Sequence, residues 1–275
     1  MPPYHYRTVA YGGEPPTPDI AAITTFLHEH QEYRKRCFDL ISYQIAIQIL
    51  AEKEAGIELI GSGGLFLKSR VEEALCYDEE WHLTDPTWFM HDAEQICSLS
   101  KHSQYCFPAP NSIPSSYEDD EDEAYYSLCK QYQTIMRNMR DNGIYRHVLI
   151  ATHVDEILCE ELIGRRSSVL MTRDAKKEDI ECVLEYQQNI SLYDSSILEF
   201  LLDQYSISTV TLIDPTEHDL TIATEHLDEE KIRIGGYHDT AWREEKLGDV
   251  SEKEQIHDTE RDYWDMIIEK SRGQF

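Results

Sequence analysis

Short apolar runs alternate with helix-forming segments through the second half of this 275-residue chain, and no other feature constrains the fold as much. The strand-like runs lie at 146–152, 167–173, 190–194, 209–214, 220–224 and 232–236. Strands that alternate with helices form layered α/β structures with a largely parallel core. Because the last runs follow one another closely, we expect an antiparallel edge or hairpin at that end of the sheet.

Two helices are predicted to flank this region. The first spans about 124–142 and ends at Asn142-Gly143, and the second spans about 252–270. In the second helix Tyr263 and Trp264 supply an apolar face that packs back onto the domain.

The first hundred residues are predicted to be mainly helical. Thr17-Pro18-Asp19 is a typical helix start, and an apolar stripe with helical spacing continues to about residue 54, where Gly56 ends it. A short strand at 57–61 then runs into Ser62-Gly63-Gly64. The dinucleotide fingerprint and the lysine-serine ending of a phosphate loop are both absent there, which favours a plain structural turn.

Residues 107–123 are predicted to form a linker, because they combine three prolines with an unbroken acidic run at 118–123. The predicted organisation is therefore a mainly helical N-terminal domain (1–106), an acidic Pro/Ser linker (107–123) and an α/β effector-like domain (124–275). The linker is expected to act as a solvated spacer, with docking of a basic protein partner as the alternative.

Charge and cysteine usage restrict the class of protein. The chain has 53 Asp plus Glu against 25 Lys plus Arg, a formal net charge of −28, which repels nucleic acid and anionic membranes. A halophilic host or simply an acidic protein would explain this excess. Seven cysteines without a CxxC pair indicate free thiols in a reducing compartment. No signal peptide or membrane span is recognisable, so a cytoplasmic location is expected.

Four segments of the second half resemble a known family. They are RHVLIATHVDEILCEELIGRRSSVLMTRD, ISLYD, TVTLIDPTEHDLTIAT and the terminal RDYWDMIIEK. Over residues 124–272 their order is similar to the effector domain of archaeal TrmB-like winged-helix transcriptional regulators. The resemblance implies a mostly parallel, phospholipase-D-like α/β fold. Residues 1–106 contain no winged helix-turn-helix pattern, which makes direct nucleic-acid binding doubtful.

The twelve histidines bear on catalysis by such a domain. Phospholipase-D-type chemistry needs HxK, and none of the histidines is followed by lysine at that spacing. A non-catalytic binding domain is what the resemblance then implies.

A ligand pocket is predicted beyond the carboxyl ends of the strands, where open α/β sheets bind their ligands. Three arginines stand out there in an otherwise acidic chain, and their guanidinium groups suit a carboxylate or phosphate. Ordinary turn residues are the alternative interpretation. The candidate ligand-binding residues are Arg165, Arg166, Arg173, Asp174, Asp194 and Asp214.

The segment 82–106 is rich in side chains that bind transition metals. His82, His91, Cys97 and Cys106 could close a tetrahedral zinc site, although their spacing matches no common zinc motif. A packed core segment is the competing interpretation.

Together these patterns predict a cytoplasmic, non-catalytic sensor or regulatory protein, related to transcription, that binds a small anionic ligand or a protein partner. A homodimer formed through the long helices is compatible with this prediction. The alternatives are a metal-dependent hydrolase or nuclease that uses segment 82–106, and an interaction module that uses the acidic linker.

Overall fold

Eight parallel strands surround a common interior in this computed structural model, which describes residues 5–15, 17–18, 20–31, 39–113, 121–239 and 256–275. Two further strands form a separate antiparallel hairpin. In chain order the strands are β1 (Arg7–Gly13), β2 (Ile60–Gly63), β3 (Leu75–Asp78), β4 (Glu80–Leu83), β5 (Ser103–Pro108), β6 (His147–Ala151), β7 (Ser167–Met171), β8 (Asn189–Leu192), β9 (Thr209–Ile213) and β10 (Ile232–His238).

Helices connect these strands and pack around them, which makes the described part of the chain a mixed α/β structure. They are α1 (Ile20–Glu29), α2 (Leu40–Ala55), α3 (Lys68–Ala74), α4 (Thr87–Leu99), α5 (Glu121–Asp141), α6 (Glu156–Leu162), α7 (Lys177–Tyr186), α8 (Leu198–Gln204), α9 (Glu217–His226) and α10 (Ile256–Ser271). No helix in these described ranges is long and apolar enough to cross a membrane.

The parallel strands close into a barrel. They form two four-stranded sheets, in the orders β1-β10-β9-β8 and β2-β5-β6-β7. The sheets meet where Val9 of β1 bridges Leu59, just before β2, and the Ala10 N–H donates to the Leu59 carbonyl at 2.9 Å. On the other side β7 and β8 lie next to each other. Each strand of the ring is followed by helical structure, so the architecture is that of a (β/α)8 barrel.

Successive side chains along each strand face the barrel interior and the outer core in turn. In β6, Val148 and Ile150 join a small apolar cluster to which both sheets contribute, whereas Leu149 and Ala151 belong to the large cluster shared with the helices. Side chains with a period of two point to opposite faces of a sheet, which explains this division. The interior is therefore packed with side chains and is not an open channel.

Local sequence signals fix the helix ends. The Asp39 carboxylate accepts a hydrogen bond from the Ser42 N–H at 2.8 Å at the start of α2, and Gly56 ends that helix with a left-handed φ of 91°. At α9 the Thr216 side chain accepts from the Asp219 N–H, while the Asp219 carboxylate accepts from the Thr216 N–H. Such reciprocal capping favours a helix even where the residues that follow are β-branched.

This last point corrects a prediction. The run 220–224 was predicted to be a strand and lies in α9, so no antiparallel hairpin ends the domain. Instead β9 and β10 pair in parallel across that helix. The helices predicted up to residue 54, at 124–142 and near the carboxyl terminus are confirmed where the structure describes them, whereas Asp19, residues 32–38 and residues 252–255 lie outside the described residues.

The sheets cross the predicted domain boundaries. Region 1–106 contains α1 to α4 and also supplies β1, β2 and most of β5, and β5 pairs with β6 from beyond the predicted linker. Within 107–123, Phe107 and Pro108 belong to β5. Residues 114–120, with part of the acidic run, lie outside the described residues.

Candidate active site at the barrel mouth

Parallel strands of a barrel all end on one side, and that side collects the polar residues that follow them. Here it holds a connected set of charged and phenolic side chains, which we call the mouth cluster. Its members are Glu14 after β1, Arg173 after β7, Tyr193 after β8, Asp214 after β9, Tyr237 and Asp239 at the end of β10, and Tyr263 from α10.

Asp214 lies at the centre of these contacts. Its Oδ2 accepts a hydrogen bond from Nη2 of Arg173 at 2.8 Å, and its Oδ1 accepts one from the hydroxyl of Tyr263. The side chain is only 7% exposed, and the backbone has a φ of 48°, in the left-handed region. Backbone held in that region by a residue other than glycine is strained, and such strain is concentrated at functional sites.

Burial raises the pKa of the Asp214 carboxyl to about 6, against the opposing effects of the Tyr263 hydrogen bond and the Arg173 charge. A carboxyl group with a pKa near neutrality changes its protonation state readily at physiological pH. The arrangement therefore provides a group able to accept or return a proton at the barrel mouth.

Arg173 is held in place by three neighbours. Besides Asp214, its Nε donates to Oδ2 of Asp239 at 3.2 Å, and its guanidinium carbon lies 4.4 Å from the ring centre of Tyr193. A planar guanidinium that both pairs with carboxylates and stacks on an aromatic ring has little rotational freedom. Arg173 thus ties together the ends of β7, β8, β9 and β10.

Glu14 and Tyr237 form the other side of the cluster. The Tyr237 hydroxyl donates to Oε1 of Glu14 at 3.1 Å and accepts from the Leu65 N–H at 3.4 Å. Burial, with the charge of Glu14, raises the pKa of Tyr237 well above its usual range, so this phenol stays protonated and acts as a donor. The contact links the ends of β1 and β10.

The ends of β1 and β2 approach so closely that a side chain is excluded. Gly12 has a φ of 79°, and a Cβ atom at that position would lie 2.1 Å from the carbonyl oxygen of Gly63. Only glycine fits such a contact in this backbone conformation.

The charges of the mouth cluster do not balance. Glu14, Asp214 and Asp239 provide three carboxylates, Arg173 is the single cation among the seven members of the cluster, and the charge of Lys270 also acts on Asp214. When Asp214 is ionised, the cluster carries a net negative charge and attracts cations rather than anions.

The predicted ligand-binding residues occupy two ends of the barrel. Arg173 and Asp214 meet in the mouth cluster, and Asp174 follows Arg173 as an exposed residue. Asp194 accepts from the Ser196 N–H at 2.8 Å and so caps a local turn. Arg165 and Arg166 precede β7 and lie at the opposite, amino-terminal end.

The structure does not bring the four predicted metal ligands together. His82 is exposed on β4 and His91 is exposed on α4, whereas the Cys97 thiol contacts the carbonyl oxygen of Asn142 at 3.5 Å and Cys106 is buried in the barrel interior. A zinc ion requires its ligands within about 2.0–2.3 Å. Across the described ranges no group of three or more His, Cys, Asp or Glu side chains could hold a metal ion.

Comparison with known proteins gives a likeness of fold. No protein-family model matches the chain, and no curated protein matches it in sequence. Among solved structures, a B12-independent methionine synthase from Shewanella sp. W3-18-1, in complex with selenomethionine, has a TM-score of 0.56 at 11% identity; the match covers 97% of this chain and 98% of that one. A Listeria monocytogenes protein described as a candidate vitamin-B12-independent methionine synthase gives 0.45 at 13% identity, over 97% and 96% of the two chains.

These findings correct two predictions. The predicted phospholipase-D-like domain of a TrmB-like regulator is wrong, because the whole described chain shares its fold with the Shewanella protein. The prediction of a non-catalytic, transcription-related sensor depended on that domain and is corrected with it; the solved chain that shares the fold is described as a methionine synthase. At 11% identity the likeness concerns the fold alone.

Proposed function

We propose that this chain is an enzyme whose active site is the mouth cluster, in which Asp214 acts as a general base toward a small substrate that carries a protonated amine. The observation that carries the proposal is the position of Asp214: a nearly buried carboxylate on strained backbone, held by Arg173 and Tyr263 at the end of β9. In barrels of this kind the catalytic residues come from the carboxyl ends of the strands.

The contacts of Asp214 suit proton transfer. Each carboxylate oxygen accepts one hydrogen bond in the free protein, and a carboxylate can accept about four, so both oxygens retain capacity for a substrate proton. The fixed donors Arg173 and Tyr263 hold the carboxylate in one orientation. A base that is already oriented needs no reorganisation when the substrate arrives.

The charge of the mouth cluster supports an amine-bearing substrate. Its net negative charge favours an ammonium group, and Glu14 and Asp239 provide further carboxylates around Asp214 and Arg173. An amino acid would satisfy both signs of charge, because its carboxylate could reach Arg173. The Shewanella protein of the same fold is described in complex with selenomethionine, which is an amino acid.

A thermal-shift panel tests the substrate class. Free amino acids, their decarboxylated amines and their N-acetyl derivatives are compared for the rise in Tm that each causes, since a ligand that binds only the folded state raises Tm. We expect compounds with a free amine to stabilise the protein and N-acetyl derivatives to have no effect. If no free amine stabilises the protein, the proposal is wrong.

A matched pair of variants tests the residue. Asp214→Asn should abolish the stabilisation by amines, whereas Asp203→Asn, which removes the same charge from an exposed site on α8, should leave it unchanged. Each stabilising compound is then incubated with protein in heavy water and followed by NMR for exchange or turnover. Equal exchange with Asp214→Asn and with the unmodified protein would exclude Asp214 as the base.

A further inference from the structure

A cavity of about 250 Å³ opens at the amino-terminal end of the barrel, on the side opposite the mouth cluster. Four arginines line it: Arg146, Arg165, Arg166 and Arg233. Its inner part reaches Tyr11 and Ser191 in the barrel interior, where the two hydroxyls lie 2.6 Å apart. We call this space the basal cavity.

The fold brings these arginines together from separate parts of the chain. Arg146 directly precedes β6, Arg165 and Arg166 precede β7, and Arg233 is the second residue of β10. Parallel strands begin on one side of a barrel, so residues before them converge there. The pair Arg165 and Arg166 occupies the tip of a tight turn, which Gly164 and Ser167 close with two backbone hydrogen bonds of 3.2 and 3.4 Å.

The charge environment of the basal cavity is unusual for this chain. Acidic residues outnumber basic ones by 53 to 25, yet none of the described residues that line the cavity is Asp or Glu. None of the four arginines forms an ion pair with a carboxylate among the described residues. By contrast, Arg70 and Arg173 each contact two carboxylates.

Arginines gathered in this way fit an oxyanion. The guanidinium fork donates two parallel hydrogen bonds to phosphate or carboxylate, and several such groups around one point favour a doubly charged anion. The cavity is larger than phosphate alone requires, given that a water molecule in the liquid takes up about 30 Å³. Side-chain amides and hydroxyls of Gln104, Asn189, Ser191 and Thr211 line the remaining space and suit a hydroxylated body.

We propose that the basal cavity binds a phosphate monoester of a small polyhydroxylated molecule, with the phosphate held by Arg165 and Arg166 at the opening and the hydroxyl groups directed inward. A long polyanion such as nucleic acid is a poor fit, because the net charge of −28 repels it outside the cavity. The site is separate from the mouth cluster and is independent of the function proposed for it.

Calorimetry on the full chain tests this inference, with glycerol 3-phosphate and inorganic phosphate as probes at constant ionic strength. We expect both probes to bind, and glycerol 3-phosphate to bind more tightly because it also offers hydroxyl groups. The double variant Arg165→Gln, Arg166→Gln should weaken both affinities about tenfold or more, as expected when charge-assisted hydrogen bonds are lost.

The control is the double variant Arg137→Gln, Arg272→Gln, which removes the same charge from two exposed sites elsewhere. It should bind both probes as the unmodified protein does, and so should Asp214→Asn. Since Arg165 and Arg166 are exposed, the test variant should keep its circular dichroism spectrum. The inference is overturned if neither probe binds at millimolar concentration, if the two double variants lose affinity equally, or if a short oligonucleotide displaces glycerol 3-phosphate.

Discussion

Asp214 and Arg173 lie 2.8 Å apart, Oδ2 to Nη2, where two non-adjacent strands of the barrel end. Burial raises the pKa of the Asp214 carboxyl, and the positive charge of Arg173 lowers it. The charge at the barrel mouth therefore depends on pH and on Arg173, and both dependences can be measured.

Amine binding should depend on pH through Asp214. Its carboxyl has a pKa of about 6, so it is protonated below that pH and attracts an ammonium group only above it. We expect the rise in Tm caused by a bound amine to increase between pH 5 and pH 7, with a midpoint of about 6. Asp214→Asn should show no such step. A step of the same size in that variant would assign the titration to another group.

Replacing Arg173 should move this midpoint upward. The Arg173 charge stabilises the ionised form of Asp214, and Arg173→Gln removes that stabilisation while burial remains. The carboxyl resonance of Asp214, followed by NMR as a function of pH, should then titrate at a higher pH than in the unmodified protein. Arg137→Gln, on the exposed face of α5, is the control and should leave the curve in place. A downward shift in Arg173→Gln would contradict the assignment.

The same raised pKa predicts how stability changes with pH. Between the unfolded pKa of about 4 and the folded value, the folded protein binds more protons than the unfolded chain, so the free energy of unfolding falls as pH rises through this window. The rise of the Asp214 pKa from about 4 to about 6 corresponds to a loss of up to about 3 kcal/mol in the free energy of unfolding. Asp214→Asn has no carboxyl group at this position, so its free energy of unfolding should not show this fall. Urea unfolding at pH 4.5 and 7 measures the free energy of unfolding of both proteins. The variant should be more stable relative to the unmodified protein at pH 7 than at pH 4.5, and an unchanged difference would refute the prediction.

Arg70 should be important for stability rather than for the site. Its buried guanidinium donates to Asp39 at 2.8 Å and to Asp92 at 3.2 Å, and it lies over the ring of Trp88. Arg70→Met leaves Asp92 buried without its cation, and breaking such a pair costs about 3–5 kcal/mol. Arg137→Met, from an exposed site, should cost less than about 0.5 kcal/mol. Chemical unfolding measures both, and a loss below 1 kcal/mol for Arg70→Met would disprove the prediction.

A pair of glycine substitutions tests the contact between β1 and β2. Gly12 and Gly273 have similar φ values of 79° and 70°, but a Cβ at Gly12 would meet the Gly63 carbonyl, whereas nothing lies within 4 Å of a Cβ at Gly273. Gly273→Ala should cost about 1 kcal/mol from backbone conformation alone. Gly12→Ala should cost about 1–3 kcal/mol more, because it also forces the strands apart. Equal costs would mean that the barrel tolerates the added methyl group.

The sequence predicted the second half of the fold better than the first. The runs 146–152 and 167–173 contain the continuous apolar stretches 148–151 and 169–171, as expected for strands buried on both faces. β1 contains two glycines and pairs with β10, more than two hundred residues away, so no local pattern marks it as part of the same sheet. The run 220–224 was misread because its β-branched residues were weighed above the Thr216–Asp219 capping pair.

The candidate site was predicted only in part, because its residues could be found only where the strand before them was recognised. The rule that ligands lie beyond strand ends selected Arg173 and Asp214 because β7 and β9 were recognised, and the structure brings these two residues into contact. Glu14 was missed because it follows the unrecognised β1, and Tyr263 because it reaches the mouth from a helix. Arg165 and Arg166 precede their strand, and this order places them at the opposite end of the barrel.

The pairing of β1 with β10 has a consequence for a ribosome-bound chain. β1 leaves the ribosome before β10, and one of its edges has no partner until residues 232–238 have been made. Until then the nascent protein presents an unpaired backbone edge, the feature by which strands of different molecules associate. Pairing with β10 removes that edge, so this hazard of aggregation is confined to the time before β10 is made.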